Sequence, residues 1–425
     1  MNEPTITQMK EDLIQAMRKN GSLRSASVEE AFRAVPRHYF LPDEPLERVY
    51  SDVAIAVKKT DDNRWTSSSS QPSMMAIMLE QLDLQPGQKV LEIGAGSGYN
   101  AALMAKMVGP EGHVVTMDIQ PDLVERARAH LDSTGFTQVA TVTGDGAAGF
   151  PENAPYDRII LTVSSWVIVP AWRDQLAEGG RLVLPLDLDR IQKSVAFERR
   201  GDELVSLSVF SCGFMSLQGA FAAPPPFQLP LDEGEHVVLT SQEKLPVGAE
   251  TFNDWLTAPP NDLPTGVEVR AFEVASDLLL WLNLHARNQW ANLTAAGEDA
   301  IERSLPVVMA LDGDWKHTET MVYIEPRGAA ALTRPAGQKI SWMNWNLPEK
   351  EQPPDLPFEI NVRSLGPDDQ LAQRITGYIR EWAAKGKPST GRLHLRAIPA
   401  EKDIQPQENE FLIEKPYTRL VLWYA

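Results

Sequence analysis

A glycine-rich turn between a predicted strand and a predicted helix carries the strongest chemical signal in this sequence. It reads Val90-Leu-Glu-Ile-Gly-Ala-Gly-Ser-Gly-Tyr99. Glycine has no Cβ atom, so a ligand can approach the backbone closely at such a turn. The spacing G-x-G-x-G differs from the G-x-G-x-x-G of dinucleotide enzymes. Glu92, two residues before the first glycine, suits a ligand with a cationic sulfur and an amino group, and the turn therefore predicts an S-adenosylmethionine site.

Two aspartates follow this turn at the ends of the next predicted strands. Asp118 ends one strand, where a carboxylate accepts hydrogen bonds from ribose hydroxyls. Asp145 lies in Gly144-Asp-Gly146, where it could bond the adenine amino group. The residues predicted to bind the cofactor are Ser67, Ser69, Glu92, Gly94, Ala95, Gly96, Gly98, Asp118, Ile119, Asp145 and Gly146.

A run of four serines, Trp65-Thr-Ser-Ser-Ser-Ser-Gln-Pro72, is predicted to be a loop ahead of the first strand. On composition alone it is also compatible with a flexible segment that has no function. Pro72 favours the start of a helix, which is predicted over Ser73–Leu82. The serines would then place hydroxyl and N–H groups at a helix N-terminus, an arrangement that binds anions.

The elements that must position these segments alternate between strand and helix through the first half of the chain. This alternation predicts a parallel sheet with helices on both faces, in which ligands bind at the carboxyl ends of the strands. A hairpin through Gly201-Asp202 predicts an antiparallel edge. The predicted strands are Lys89–Ile93, His113–Asp118, Val139–Thr143, Arg158–Val163, Arg181–Pro185, Lys193–Glu198 and Leu204–Val209; the helices include Pro121–Leu131 and Pro170–Leu176.

Three consecutive prolines at residues 224–226 can continue neither a helix nor a central strand, and they predict a domain boundary. We therefore predict one domain over residues 1–225 and a second, α+β domain over residues 226–425. Eight of the 11 tryptophans lie in the second. They are expected either in its core or on a peptide-binding surface. Its predicted helices are Phe252–Leu256, Ser276–Leu284 and Asp369–Ala384, and its predicted strands are Val307–Leu311, Thr320–Ile324, Arg392–Ala397 and Leu420–Tyr424.

The amino-acid composition limits which binding partners and which cellular compartment are expected. A net charge of -18 repels phosphate backbones and anionic membranes, so neither nucleic acid nor a membrane is expected as a partner. The single cysteine, Cys212, fits a reducing compartment. Because the first residues also lack an apolar signal core, a cytoplasmic location is expected. The seven histidines show no ligand spacing, so no metal site is predicted. The oligomeric state is left open.

Several segments together resemble protein-L-isoaspartate O-methyltransferases over about residues 5–215. They are Val35-Pro-Arg-His-Tyr-Phe-Leu-Pro42, Ser70-Gln-Pro72, the glycine turn, Gly144-Asp-Gly146, Ala154-Pro-Tyr-Asp-Arg158 and residues 174–185. The resemblance implies a class I, Rossmann-like methyltransferase fold and methyl transfer from S-adenosylmethionine to an isoaspartyl carboxylate. Ser70 matches the active-site serine of that family, and Ser68 matches a position that is usually threonine; both are predicted to be catalytic. The segment Val53–Arg64 is longer than in the repair enzymes.

The length of the chain adds a narrower resemblance. The extra domain and the ending Arg419-Leu-Val-Leu-Trp423 are similar to methyltransferases of the "FxLD system" and lanthipeptide groups. These are implied to methylate an aspartate of a ribosomally made precursor peptide, giving an ester that closes to an aspartimide. The predicted function is therefore carboxyl O-methylation of an aspartyl or isoaspartyl residue in such a peptide, recognised by residues 226–425. Two alternatives are repair of damaged proteins and a binding module without turnover.

Overall fold

The computed structural model describes residues 5–61, 64–287, 290–296, 300, 303–310, 317–335 and 355–425. The chain forms two compact units. Unit 1 contains Met1–Ala223 and Gly391–Ala425, and unit 2 contains Pro224–Thr390. The chain thus enters unit 2 at the predicted proline boundary. The assignment of all of residues 226–425 to one domain is wrong, because the strands after residue 391 hydrogen-bond into the sheet of unit 1.

The helices and strands of the described residues are numbered here in chain order. The helices are α1 Ile6–Lys19, α2 Ala26–Ala34, α3 Leu46–Val49, α4 Pro72–Leu82, α5 Tyr99–Val108, α6 Pro121–Ser133, α7 Pro170–Asp174, α8 Ala249–Thr257, α9 Ala271–Glu273, α10 Leu279–His285 and α11 Gln370–Ala384. The strands are β1 Ile55–Lys59, β2 Trp65–Ser69, β3 Lys89–Ile93, β4 His113–Asp118, β5 Ala140–Thr143, β6 Tyr156–Leu161, β7 Leu176–Leu188, β8 Ile191–Arg200, β9 Glu203–Ser211, β10 Phe227–Pro230, β11 Val237–Ser241, β12 Asn261–Val269, β13 Trp290–Ala296, β14 Met309–Ala310, β15 His317–Glu325, β16 Gly328–Thr333, β17 Phe358–Leu365, β18 Leu393–Pro399, β19 Phe411–Lys415 and β20 Thr418–Tyr424.

The main sheet of unit 1 has the strand order β19-β20-β18-β9-β8-β7-β6-β3-β4-β5. Strands β5, β4, β3, β6 and β7 are parallel, whereas the pairs from β7 through β8 and β9 to β18, β20 and β19 are antiparallel. The predicted parallel sheet with an antiparallel edge is confirmed. From β3 the chain moves through β4 to β5 and then returns to place β6 on the other side of β3. Strand order therefore reverses between β3 and β6, where doubly wound sheets bind their ligands.

The serine run forms a strand and not the predicted loop. β2 pairs with β1 in a separate two-stranded antiparallel sheet, with Ile55 opposite Ser69 and Ala56 opposite Ser68. The partner strand comes from the segment Val53–Arg64, and its pairing makes a strand of the serines possible. The predicted helix behind it is confirmed, since α4 begins at Pro72.

The core of unit 1 lies where the N-terminal helices pack on the sheet. α1, α2, α4 and α5 contribute its most deeply buried side chains, which include Met17, Val28, Leu79, Leu82 and Leu103. The amphipathic pattern of α1 explains its placement, because Leu13, Ile14 and Met17 lie on one face and are all buried. Within the described part of the chain, no helix combines the length and the apolar character needed to cross a membrane.

Unit 2 is built around an antiparallel sheet with the order β10-β11-β13-β15-β16-β17-β12, and β14 pairs with β15. A π-helical turn, Val274–Leu278, joins α9 to α10. The predicted α+β architecture therefore holds for this unit. Trp281, Trp290 and Trp382 are buried, as expected for core residues. The predicted strand Val307–Leu311 is reduced to Met309–Ala310, and Leu311 lies outside the described residues.

Candidate active site

A cleft opens at the carboxyl ends of β3, β4 and β6, where the strand order of the main sheet reverses. It encloses about 590 Å³, including its open mouth. The lining residues are Thr66, Ser67, Ser68, Ile93, Gly94, Gly96, Met117, Asp118, Ile119, Gln120, Leu123, Gly146, Thr162, Val163, Met215, Ser216, Leu217 and Gln218.

The glycine turn requires glycine for steric reasons. Gly94 has a φ of 109°, and a Cβ atom there would stand 2.4 Å from the Thr162 hydroxyl oxygen. That hydroxyl donates a 2.7 Å hydrogen bond to the Gly94 carbonyl, so Thr162 shapes the turn. Gly98 has a φ of 85°, and its Cβ would lie 3.2 Å from the backbone of Ala127 in α6. Gly98 therefore lets α5 start close to α6, although it does not line the cleft.

Ala95 and Asp118 connect the glycine turn to β4. The buried Ala95 donates its N–H to the Met117 carbonyl at 3.0 Å and does not line the cleft. Asp118 lines the cleft, and its carboxylate accepts N–H groups from Gly96 at 3.3 Å and Gln120 at 3.1 Å. Burial raises the pKa of Asp118, and these N–H groups oppose that rise. The remaining lone pairs can accept ribose hydroxyls, as the sequence predicts, and Ile119 follows at the exposed rim.

Glu92 is fully buried and lies outside the set of cleft-lining residues. One carboxylate oxygen accepts from Asn100 Nδ2 at 2.7 Å, and the other accepts from the Thr116 hydroxyl at 2.6 Å. Burial raises the pKa of Glu92 to about 7. Glu92 therefore ties β3 to β4 and to α5. The predicted direct contact with a cofactor does not match this placement.

Asp145 is also engaged by the protein itself. One of its oxygens accepts from the Ala147 N–H at 2.9 Å, and the other accepts from the Ala220 N–H at 2.7 Å. It does not line the cleft, whereas the neighbouring Gly146 does. In the structure Asp145 anchors the chain near residue 220, and its bond to adenine stays a prediction. The two bonded residues are 75 positions apart in the chain, so no local sequence pattern predicts this hydrogen bond.

The serine strand passes over the glycine turn. A Cβ atom on Gly96 would lie 3.4 Å from the Ser68 carbonyl and 3.7 Å from the Ser67 hydroxyl. Ser67 and Ser68 line the cleft, while Ser69 is buried behind it. Ser70 is half-buried beyond the end of β2 and is not a lining residue of the cleft itself. Its hydroxyl makes no hydrogen bond to the described part of the protein.

The N-terminus of α4 does not serve as the predicted open anion site. Asp52 occupies it, because its carboxylate accepts the Ser73 N–H at 2.8 Å and the Ser73 hydroxyl at 2.7 Å. Gln71 adds a 3.2 Å bond from its side-chain amide to the same carboxylate. A carboxylate at a helix N-terminus satisfies N–H groups that would otherwise bind an external anion. The serine hydroxyls, and not the helix end, remain the groups available to a ligand.

Sequence reasoning missed three features of the cleft. Thr66 is skipped in the pairing of β2, since Lys58 is opposite Ser67 and Lys59 is opposite Trp65. Its hydroxyl is buried and has no hydrogen-bond partner in the described residues. Thr162 could have been found, because it directly follows β6. The wall formed by residues 215–218 depends on tertiary pairing with Ser164, whose N–H and carbonyl bond the backbone of Met215 and Leu217 at 2.8 Å each.

Comparison with known proteins adds independent findings. A family profile described as "Protein-L-isoaspartate(D-aspartate) O-methyltransferase (PCMT)" matches residues 8–221. The protein-L-isoaspartate O-methyltransferase of Methanopyrus kandleri is 38% identical over 212 residues, which are 49% of this chain and 91% of that protein. The enzyme of the same description from Methanothermobacter thermautotrophicus is 37% identical over 209 residues, 49% of this chain and 94% of its own. A solved structure described as protein-L-isoaspartate O-methyltransferase aligns with 91% of this chain and 96% of its own, at 25% identity and a TM-score of 0.48.

Proposed function

Because this chain belongs to the protein-L-isoaspartate(D-aspartate) O-methyltransferase family, we propose that it methylates isoaspartyl residues of damaged proteins. It is an S-adenosylmethionine-dependent methyltransferase, and unit 1 has the class I, Rossmann-like fold. The observation that carries the proposal is the meeting of three segments at one cleft: the glycine turn, the carboxylate of Asp118 and the serine strand β2.

The cleft suits S-adenosylmethionine in shape and in chemistry. Two glycines with positive φ, Gly94 and Gly96, allow a close approach along one wall. Asp118 offers acceptors to ribose hydroxyls, and Ile119 and Leu123 offer apolar surface to a planar base. Gly146 continues that wall, where a side chain would collide with Ile93. These residues, with Ser67, are proposed to hold the cofactor.

Methyl transfer to a carboxylate makes modest chemical demands on the protein. When bound, S-adenosylmethionine supplies a methyl group on a cationic sulfur, and the carbon–sulfur bond breaks as a carbon–oxygen bond forms. A carboxyl group has a reference pKa near 4, so at neutral pH the acceptor is ionised without a general base. The residues need only align the acceptor and exclude water, and alignment can lower a barrier by about 7–11 kcal/mol.

Ser70 is proposed to align the acceptor. Its hydroxyl is half-buried and makes no bond to the described residues, so it can donate to an incoming carboxylate. A neutral donor orients a carboxylate and leaves it nucleophilic, whereas a direct ion pair with lysine or arginine would weaken it as a nucleophile. Ser68, on the same strand, lines the cleft and is proposed to assist.

The test of this assignment is Ser70→Ala, with kcat/KM measured on an isoaspartyl peptide. Loss of one hydrogen bond to a charged group predicts a decrease of about 10- to 100-fold. Ser208→Ala on β9, which loses a hydroxyl bonded to Gln81, is the matched control. A kcat/KM for Ser70→Ala within about twofold of the unchanged protein would remove Ser70 from the mechanism.

A second candidate keeps the same chemistry and changes the substrate. Unit 2 lies beyond the residues that the family profile matches, and this second candidate assigns to it the recognition of a dedicated partner such as a ribosomally made precursor peptide. The ester of an aspartyl residue would then be attacked by the following backbone nitrogen, releasing methanol and forming an aspartimide.

Substrate range separates the two candidates. Methyl transfer to several unrelated isoaspartyl peptides, with none to their aspartyl counterparts, supports repair. Activity confined to one cyclised precursor supports methylation of a dedicated precursor peptide. Mass spectrometry would then find the gain of one methyl group followed by a net loss of one water. Methylation of neither class would refute the proposed function.

A further inference from the structure

Arg37 is a buried cation directly behind the serine strand. Only 1% of this residue is exposed. One guanidinium nitrogen donates to the Val49 carbonyl at 2.9 Å. The other donates to the Ser70 carbonyl at 3.0 Å, the Ser69 hydroxyl at 3.3 Å and the Val53 carbonyl at 3.4 Å. Arg37 therefore joins the loop before β1 to Ser70, the residue that is proposed to align the acceptor.

The groups of the described residues that hydrogen-bond Arg37 are all neutral. No carboxylate lies within ion-pair distance of it among the residues that the structure describes. Asp52 lies in the loop that Arg37 holds; its carboxylate bonds Ser73 and Gln71 and acts on Arg37 through space, without a direct contact. Burial lowers the pKa of Arg37 to about 10, which leaves the guanidinium protonated at neutral pH. The ring of Tyr99, 5.9 Å away, closes one side.

We propose that Arg37 is a positioning residue that selects an anionic acceptor, holding Ser70 in place and attracting the substrate carboxylate without contacting it. The inference rests on the proposed function and on the role of Ser70 in it. It assigns two separable tasks to one side chain. The charge acts on the acceptor, and the geometry of the guanidinium acts on Ser70.

The physical basis of the first task is a buried charge that is solvated by dipoles. Carbonyl oxygens stabilise the cation but do not cancel its charge, so its field extends into the neighbouring site, where water screens it weakly. A carboxylate entering beside Ser70 adds a second opposite charge to that of Asp52 and is attracted by the same field. Since a protein residue separates the two groups, the carboxylate oxygens stay free to react.

The physical basis of the second task is the planar fork of arginine. Nη1 and Nη2 reach acceptors on two different segments at the same time, Val49 on one and Ser70 on the other. Lysine carries the same charge on a single nitrogen and cannot reproduce such a fork. Arg37→Lys therefore keeps the first task and loses the second, while Arg37→Met loses both.

The experiment compares two peptides that differ only in charge. One carries the isoaspartyl acid and the other carries the neutral isoasparaginyl amide. Their affinities are measured by calorimetry on the full chain saturated with S-adenosylhomocysteine, so that no turnover occurs. In Arg37→Met, the preference for the acid over the amide should fall by at least about tenfold. In Arg37→Lys this preference should stay within about twofold, while kcat for the acid falls by at least about tenfold.

The matched control is Arg158. It is 8% exposed and, like Arg37, donates to backbone carbonyls, at Leu82 and Asp83, but near the start of β6. Arg158→Met should lower stability and leave the acid preference unchanged. The inference is overturned if Arg37→Met weakens both peptides equally, or if Arg37→Lys has the kcat of the unchanged protein. Should Arg37→Met not fold, Arg37→Lys still tests the positioning of Ser70, and a kcat equal to that of the unchanged protein overturns the inference. Absence of isoaspartyl methylation by the unchanged protein would instead refute the proposed function.

Discussion

Replacing Glu92 with glutamine should change how the stability of unit 1 depends on pH. Burial raises the pKa of this carboxyl from 4.5 to about 7 in the folded protein. A rise of that size corresponds to about 3 kcal/mol of cost for holding the ionised form inside the fold. Asn100 and Thr116 already donate hydrogen bonds to it, so this cost remains after both bonds have acted.

The sign of the change in unfolding free energy with pH follows from which state binds the proton. Between about pH 4.5 and pH 7 the folded protein holds a proton on Glu92 that the unfolded chain has lost. The free energy of unfolding therefore falls as the pH rises through this window, and the full cost is present above pH 7. Glu92→Gln carries no charge, and its amide can accept from Asn100 and donate to the Thr116 hydroxyl. Relative to the unchanged protein, Glu92→Gln should gain up to about 3 kcal/mol on going from pH 5 to pH 8.

The assay must report on unit 1 alone, because the two units can unfold separately. Urea unfolding followed by hydrogen-exchange mass spectrometry on peptides from β3 and β4 meets this need. Glu111→Gln, at an exposed position before β4, is the control and should show no pH-dependent difference. A difference between Glu92→Gln and the unchanged protein that stays constant from pH 5 to pH 8 would refute the reasoning, since it would mean that Glu92 is not held protonated by the fold.

Three further outcomes are expected. Asp118→Asn should raise the Kd for S-adenosylhomocysteine by about tenfold in calorimetry, because a neutral amide bonds ribose hydroxyls less strongly than a carboxylate; an unchanged Kd would place the ribose elsewhere. Gly98→Ala should lower the free energy of unfolding by about 1–3 kcal/mol in urea titration, since its φ is positive and its Cβ would press on Ala127; equal stability would contradict this crowding. Thr66→Val should raise the stability of the ligand-free protein by about 1 kcal/mol relative to Thr66→Ser, because it removes a buried hydroxyl without a partner; a lower stability would show that the hydroxyl is bonded.

Where local pattern dominates, the sequence predicted the structure well. The glycine turn, the strand ends at Asp118 and Thr143 and the helix start at Pro72 follow from residues within a few positions of each other. The antiparallel hairpin through Gly201 was equally predictable, because alternating strands flank a turn dipeptide. Each of these features depends on backbone preferences that are carried by the residues themselves.

Other features depend on partners that are far apart in the chain. The serine strand exists because β1 pairs with it, and serine has little strand preference of its own. Asp145 was predicted to bind adenine, and the structure shows its carboxylate accepting a hydrogen bond from the Ala220 N–H, 75 residues away. The strands after residue 391 were predicted to lie in the second domain, yet they extend the sheet of unit 1.

By itself, the sequence determined which family this chain belongs to and where the cofactor turn lies, because close backbone approach requires glycines at set positions. Only the tertiary structure decided which carboxylates remain available to a ligand. Glu92, Asp52 and Asp145 bond N–H and hydroxyl groups of the protein and do not line the cleft, whereas Asp118 lines it. The physical reason is that a buried carboxylate must be satisfied by whatever donors the fold brings near it, and distance along the chain does not reveal those donors.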